Sequence, residues 1–133
     1  MPVIDASVWV AAFHKADIFH DRAIRVLEKF LIEDVLVRVP SIVFAEVGGS
    51  IRRRTNNTKL ALTALVKMRA YDLNIREIDE AFAEMAADVA ARIGLRGADA
   101  FYIALAKETG DTLWTFDEEQ RLKGSAEAET KQP

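Results

Sequence analysis

Asp5, Glu46, Asp99 and Asp117 stand at places where an α/β chain can gather charge. Asp5 directly follows the apolar run Val3-Ile4, and Asp117 directly follows Leu113-Trp114-Thr115-Phe116. Glu46 lies about one turn into the segment after Val39-Pro40-Ser41, and Asp99 leads the apolar stretch Ala100-Phe101-Tyr102-Ile103. Two carboxylates about 4 Å apart repel by roughly 4 kcal/mol at an effective dielectric of 20, so a cluster of them needs cations or protons. A divalent metal answers that need. The chain has no cysteine and only two histidines, His14 and His20, so a metal would rest on oxygen ligands, which suits magnesium, manganese or calcium. Each acid alone also has a plainer role. Asp5 and Asp117 can cap the helices that follow them, Asp99 can complement a helix dipole, and Glu46 can be a surface residue. The neighbours of Asp99 weigh against that role, because Tyr102, Ile103 and Ala106 share its helical face and leave it poorly placed for solvent.

The elements between these residues must bring them together. Val3-Ile4 reads as a buried strand that passes into a helix through Val8-Trp9-Val10-Ala11-Ala12-Phe13. From His20 to about Asp34, Ala23, Ile24, Leu27, Phe30 and Leu31 recur at helical spacing. Val35-Leu36-Val37-Arg38-Val39 is rich in β-branched residues, and Pro40-Ser41 ends that strand and starts the helix carrying Glu46. This helix crosses Gly48-Gly49, each of which weakens it by roughly 1 kcal/mol relative to alanine, and reaches Arg52-Arg53-Arg54. A break at 55–58 precedes a helix from Lys59 to about Tyr71, capped by Asn57 or Thr58. Leu73 to Ile78 alternates as a strand, and Asp79 caps a helix that Gly94 terminates. Residues 98–109 form a helix, Thr112 to Phe116 a strand, and Asp117 opens a short final helix. Strands alternating with helices of crossover length predict a three-layer α/β/α sandwich around a central, mainly parallel sheet. Open parallel sheets bind ligands beyond the carboxyl ends of their strands, which is where Asp5 and Asp117 fall.

Bulk properties narrow the classes further. With 133 residues, half of them apolar, the chain fits one domain, placed at 1–123, and the small polar tail 124–133 is expected to be disordered. No apolar run approaches the roughly 20 residues of a membrane span, and no signal-type start is present, so the expectation is a cytoplasmic protein with no membrane partner. The net charge of −3 hides segregation. Between Val47 and Tyr71 there is no acid, while Arg52, Arg53, Arg54, Lys59, Lys67 and Arg69 are basic, so the stretch is either a solvated helical face or a surface for a polyanion.

In these residues the chain resembles the PIN-domain family, and within it the VapC-like toxins. Val3-Ile4-Asp5-Ala6-Ser7 is similar to the family's first motif, and Val39-Pro40-Ser41 through Glu46 to its second. Leu95-Arg96-Gly97-Ala98-Asp99-Ala100 with Tyr102 is similar to the third, and Leu113-Trp114-Thr115-Phe116-Asp117 to the fourth. The Gly48-Gly49 pair departs from the pattern. The resemblance implies Asp5, Asp99 and Asp117 as ligands of Mg2+ or Mn2+, and Glu46 as the acid that orients the attacking water. It implies Ser7 and Thr115 as hydrogen-bonding supports of that site and Arg96 as a contact to the scissile phosphate; beside such a site, Arg52 and Arg53 of the basic stretch are the candidates to hold flanking phosphates of the substrate. It further implies an endoribonuclease that hydrolyses RNA phosphodiesters, a homodimer, and a cognate antitoxin as partner. The alternatives are a non-cleaving module that binds RNA or protein, and a phosphatase with Asp5 as nucleophile, which would want a second acid where Ser7 stands.

Overall fold

Short apolar runs and amphipathic stretches alternate along the chain, and each closes into an element. In a computed structural model describing residues 1–133, the first half runs β1 (Val3–Ile4), α1 (Ala6–Phe13), α2 (His20–Ile32), β2 (Val37–Pro40), α3 (Val43–Thr55) and α4 (Thr58–Arg69). The second half runs β3 (Leu73–Arg76), α5 (Glu80–Ile93), α6 (Gly97–Thr109), β4 (Leu113–Trp114), α7 (Glu118–Gly124) and β5 (Thr130–Lys131). The strands form one sheet in the order β3-β2-β1-β4-β5, and every pairing is parallel. Helices flank this sheet in two groups. In one, α1 packs on α2 and α3 while α3 pairs with α4, and in the other α6 lies against β1, β2 and β4 and pairs with α5 and α7. The chain therefore winds outward from β1 in both directions, and β1 with β4 marks the switch point of the sheet.

Burial follows the helical periods. Ala23, Val26, Leu27 and Phe30 form the inner stripe of α2, whereas Leu31, expected in that stripe, points outward and is 59% exposed. Val43, Val47 and Ile51 line up at four-residue spacing on α3. α6 is the central helix, with Ala100 and every residue from Tyr102 to Ala106 buried; its small alanines allow close approach on several sides. Trp9 lies fully buried with its ring edge-on to Tyr71, and Trp114 is half-buried against Phe30, so both tryptophans serve packing. Asn57 caps α4 by accepting from the Leu60 amide at 3.0 Å, and Gly94 and Gly110 end their helices at positive φ. Gly48 answers to tertiary packing: a Cβ there would lie 3.3 Å from Leu65 Cδ1 on α4.

The tail departs from the disorder expected of its composition. β5 extends the sheet beside β4, with Leu113 N–H donating to Glu129 O at 2.9 Å and Thr115 N–H to Lys131 O at 3.0 Å. Glu127, only 8% exposed at its side chain, is held between Arg92 and Lys107. Gly124 lets the end of α7 sit close against α6, since a Cβ there would run into the Ile103 side chain. The order comes from backbone pairing and one clamped carboxylate, which do not require the apolar content on which disorder is read. β4 is accordingly an inner strand, and it is shorter than the sequence suggests, ending at Trp114.

Candidate active site

Each acid is delivered by the start of a helix. Asp5 follows β1 and caps α1, accepting the Ser7 amide at 2.9 Å, and Asp117 caps α7 by accepting the Gln120 amide at 2.9 Å. Glu46 sits in the first turn of α3 and Asp99 in the first turn of α6. All four line one cleft of about 440 Å3, together with Ser7, Ser50, Arg53 and Arg54. Capping and site-building thus coincide at Asp5 and Asp117, because a carboxylate has lone pairs for both.

Hydrogen bonds hold Asp5 in place. Its Oδ2 accepts from Ser7 N–H and from Thr115 Oγ1 at 3.2 Å, while Oδ1 accepts from Gln120 Nε2 at 3.2 Å. Thr115 has one hydroxyl proton, given to Asp5, and its oxygen accepts the Asp117 amide at 3.0 Å. Ser7 must then be the donor in its 3.3 Å contact with Thr115, and its own oxygen accepts the Phe116 amide at 3.0 Å. The result is a set of bonds joining the ends of β1 and β4 through Asp5, Ser7 and Thr115. Gln120 adds a tie to α6 by donating to the Asp99 carbonyl at 3.2 Å. Two acceptors fix its amide nitrogen inward and leave Oε1 buried without a partner.

The other two acids have fewer supports. Glu46 accepts from the buried Tyr102 hydroxyl at 2.6 Å, and Asp99 faces Arg96 Nε at 3.6 Å. Burial pushes the Glu46 carboxyl up to about 7; the Tyr102 hydrogen bond opposes this, and the charges of Asp5 and Asp99 reinforce it. Asp99 is pushed up to about 6, mainly by burial and then by Asp5 and Asp117, with Arg96 opposing. Burial also raises Asp5 despite its donors, and raises the Tyr102 phenol well above its ordinary value.

The donor set is wholly oxygen and strongly anionic, which fits a hard divalent cation. No three acidic or histidine side chains converge tightly enough to form a closed cage. The fit is therefore to an open site, in which one or two carboxylates are direct ligands and water or substrate oxygens supply the rest, as magnesium prefers. Asp5 and Asp99 border the cleft from the strand end and the central helix, and Asp117 and Glu46 from the starts of α7 and α3.

The arginines separate by helical phase. Relative to Glu46, Ser50, Arg53 and Arg54 lie four, seven and eight residues on and share its face, so they line the cleft. Arg52 lies six residues on and turns away into the groove between α3 and α4, where it donates to Asn56 and Thr58. The structure thus does not bring Arg52 to the acids, and it brings Arg54 there instead. The other basic residues of the stretch disperse, with Arg69 seated 4.0 Å over the Phe44 ring. Arg96 takes the N-cap position of α6 without a side-chain cap bond; its side chain is 80% exposed and faces Asp99 without lining the cleft. Gln120 and Arg54 are participants that motif reading passes over, and Tyr102, which falls within the third motif, is given no role in the site by it. Arg54 was open to simple helical arithmetic from Glu46. Gln120 stands three residues after Asp117, where a capping box would turn its side chain back to the cap, yet it reaches Asp5 instead.

A parallel α/β/α sandwich with carboxylates collected at its switch point defines the class of domain. The PIN domain family model matches residues 3–124, and the chain belongs to that family. Comparison with curated proteins yields no significant match. Among solved structures, the Mycobacterium tuberculosis VapC20 toxin, described as cleaving the sarcin-ricin loop, is similar with a TM-score of 0.77 at 19% identity, over 93% of this chain and 95% of that one. VapBC2 from Rickettsia felis, bound to a promoter DNA fragment, gives 0.75 at 14% identity over 99% and 98%. FitAcB from Neisseria gonorrhoeae gives 0.69 at 20% identity over 98% and 96%. These likenesses describe the fold. No helix is long and apolar enough to cross a membrane.

Proposed function

We propose that this chain is a metal-dependent endoribonuclease and the toxin of a toxin–antitoxin pair. The observation that carries the reading is the meeting of Asp5, Glu46, Asp99 and Asp117, from four distant segments, in one cleft that Arg53 and Arg54 also line. Anionic ligands beside cationic side chains suit a phosphodiester, whose charge needs both a cation and guanidinium donors. A divalent cation, Mg2+ or Mn2+, when bound supplies charge stabilisation at phosphorus and lowers the pKa of water. Asp5 and Asp99 would hold it directly and Asp117 through water, with Ser7, Thr115 and Gln120 fixing Asp5. Glu46, poised near neutrality and anchored by Tyr102, orients the attacking water and takes its proton. Arg53 and Arg54 hold flanking phosphates, and Arg96 meets the substrate at the rim.

The fold likeness to VapC20 and to the VapBC2 and FitAcB structures supports a cognate antitoxin as partner, and homodimerisation belongs to the same reading. The test is cleavage of pooled transfer and ribosomal RNA by the purified chain with Mg2+ or Mn2+. Cuts that disappear with chelator and with Asp5→Asn support the nuclease. No cuts, together with no metal binding, assign the cleft to a non-cleaving module.

A further inference from the structure

The acidic cleft adjoins a second hollow of about 470 Å3, and Ser7, Arg54 and Asp117 line both. The wall of this hollow away from the acids is apolar. Phe19, from the loop before α2, stacks on Phe116 with ring centroids 4.3 Å apart and planes 3° from parallel. Ile18 adjoins them and is 88% exposed, the most exposed large apolar residue of the chain. The loop carrying Ile18 is not slack. Asp17 Oδ1 accepts the Phe19 amide at 2.8 Å, and Oδ2 pairs with Arg54 Nη1 at 2.7 Å. Arg54 is thereby tied to the loop, yet half of its side chain stays open to solvent where the hollows meet. His14 contributes a polar edge.

Charge and shape run in a definite order: carboxylates, then a guanidinium, then an apolar wall with a polar margin. A ribonucleotide has that order too, with a phosphate beside the metal-ligand acids and a flat base, edged by donors and acceptors, beyond it. Building on the nuclease reading above, we propose that this hollow receives the nucleobase next to the scissile phosphate. Ile18 and the Phe19–Phe116 pair form its apolar wall, and Arg54 holds the phosphate on that side. A base fits only if it is unpaired and unstacked, so the site selects single-stranded or loop RNA. A protein segment is the rival occupant, but the opening of the hollow onto the acidic cleft through Ser7, Arg54 and Asp117 sets the half-exposed Arg54 where a phosphate beside the metal-ligand acids would lie.

The experiment uses the full chain with Mg2+ and a short oligoribonucleotide that it cuts, made with either base present or with an abasic residue at each of the two nucleotides flanking the cut. For the wild-type chain, removing the base on one side lowers kcat/KM about tenfold, the scale of a lost stacking contact, and removing the other has little effect. For Ile18→Asp, the same abasic substitution costs less than twofold. Arg54→Gln slows both substrates alike. Ile18 is exposed, so its replacement leaves the fold intact, which a melting curve checks. An equal abasic cost in both proteins, or none in the wild type, overturns the subsite and leaves the nuclease standing. If the Asp17–Arg54 loop instead seats a protein partner, abasic costs match while Ile18→Asp escapes inhibition by that partner, which also overturns the proposal. Failure to cut any RNA with metal overturns the nuclease reading and the subsite with it.

Discussion

The two walls of the acidic cleft carry the same functional group in opposite settings. On the strand side, Asp5 is buried but saturated, with Ser7, Thr115 and Gln120 donating to it and the ends of β1 and β4 tied together around it. On the helix side, Glu46 keeps a single phenol donor and Asp99 only a long contact to an exposed arginine. Both walls desolvate their carboxylates. The strand side opposes this with fixed hydrogen bonds that offset it only in part, whereas the helix side has few donors and adds repulsion between the acids to its burial, which a proton or a cation must relieve. One wall is thus preorganised and the other is responsive to pH and metal.

That contrast can be broken from its rigid side first. Asp5→Asn is expected to reduce cleavage by more than the hundredfold that bounds the effect of outer hydrogen-bond partners, while the fold persists; RNA cleavage and circular dichroism would check this together. Gln120→Leu removes the tie between Asp5 and the Asp99 carbonyl and should lower manganese affinity or activity by about ten- to a hundredfold, read by titration and by kcat/KM. A Gln120 variant indistinguishable from wild type would show that the Asp5 geometry does not depend on it.

The responsive wall predicts a linkage of stability to pH. Glu46 titrates at about 7 against an ordinary 4.5, and Asp99 at about 6 against 3.8, so the folded state holds these protons more tightly than the unfolded chain. The stability they contribute is fully present below about pH 4 and is lost as pH rises through 6 and 7. Metal-free protein should therefore melt lower at pH 8 than at pH 5, and Mg2+ should raise Tm more at pH 8. Asp99→Asn should raise the metal-free Tm by a few degrees at pH 8 and leave it unchanged near pH 4, as calorimetry would show. The smallest effect belongs to Tyr102→Phe. Removing the donor that holds the Glu46 carboxyl down should move the acidic limb of the pH–rate profile upward and slow cleavage a few-fold at pH 7.

Local rules account for much of what was legible. Period and capping placed the helices of this chain closely, and the strand-to-helix junctions marked Asp5 and Asp117. Those signals are written within a few residues of each other. They failed at Leu31, where a stripe read over too wide an arc included a solvent-facing position, and in the tail, where composition gave no hint of pairing with β4. They also misjudged the arginines, since adjacency in sequence suggested a shared surface while a turn of 100° per residue separates Arg52 from Arg53 and Arg54.

By itself, the sequence determined the kind and order of the elements as far as α7, the α/β alternation that makes a parallel sheet, and four acids at helix starts. Only the tertiary structure decided that these acids face one cleft, that Thr115 and Gln120 reach Asp5 across separations of 110 and 115 residues, and that Tyr102 meets Glu46 from 56 residues away. The physical reason is the difference between short-range and long-range order. Hydrophobic period and caps are set by neighbours along the chain, whereas a side chain's partner depends on which strand ends lie together, and that is settled only when the sheet assembles around β1.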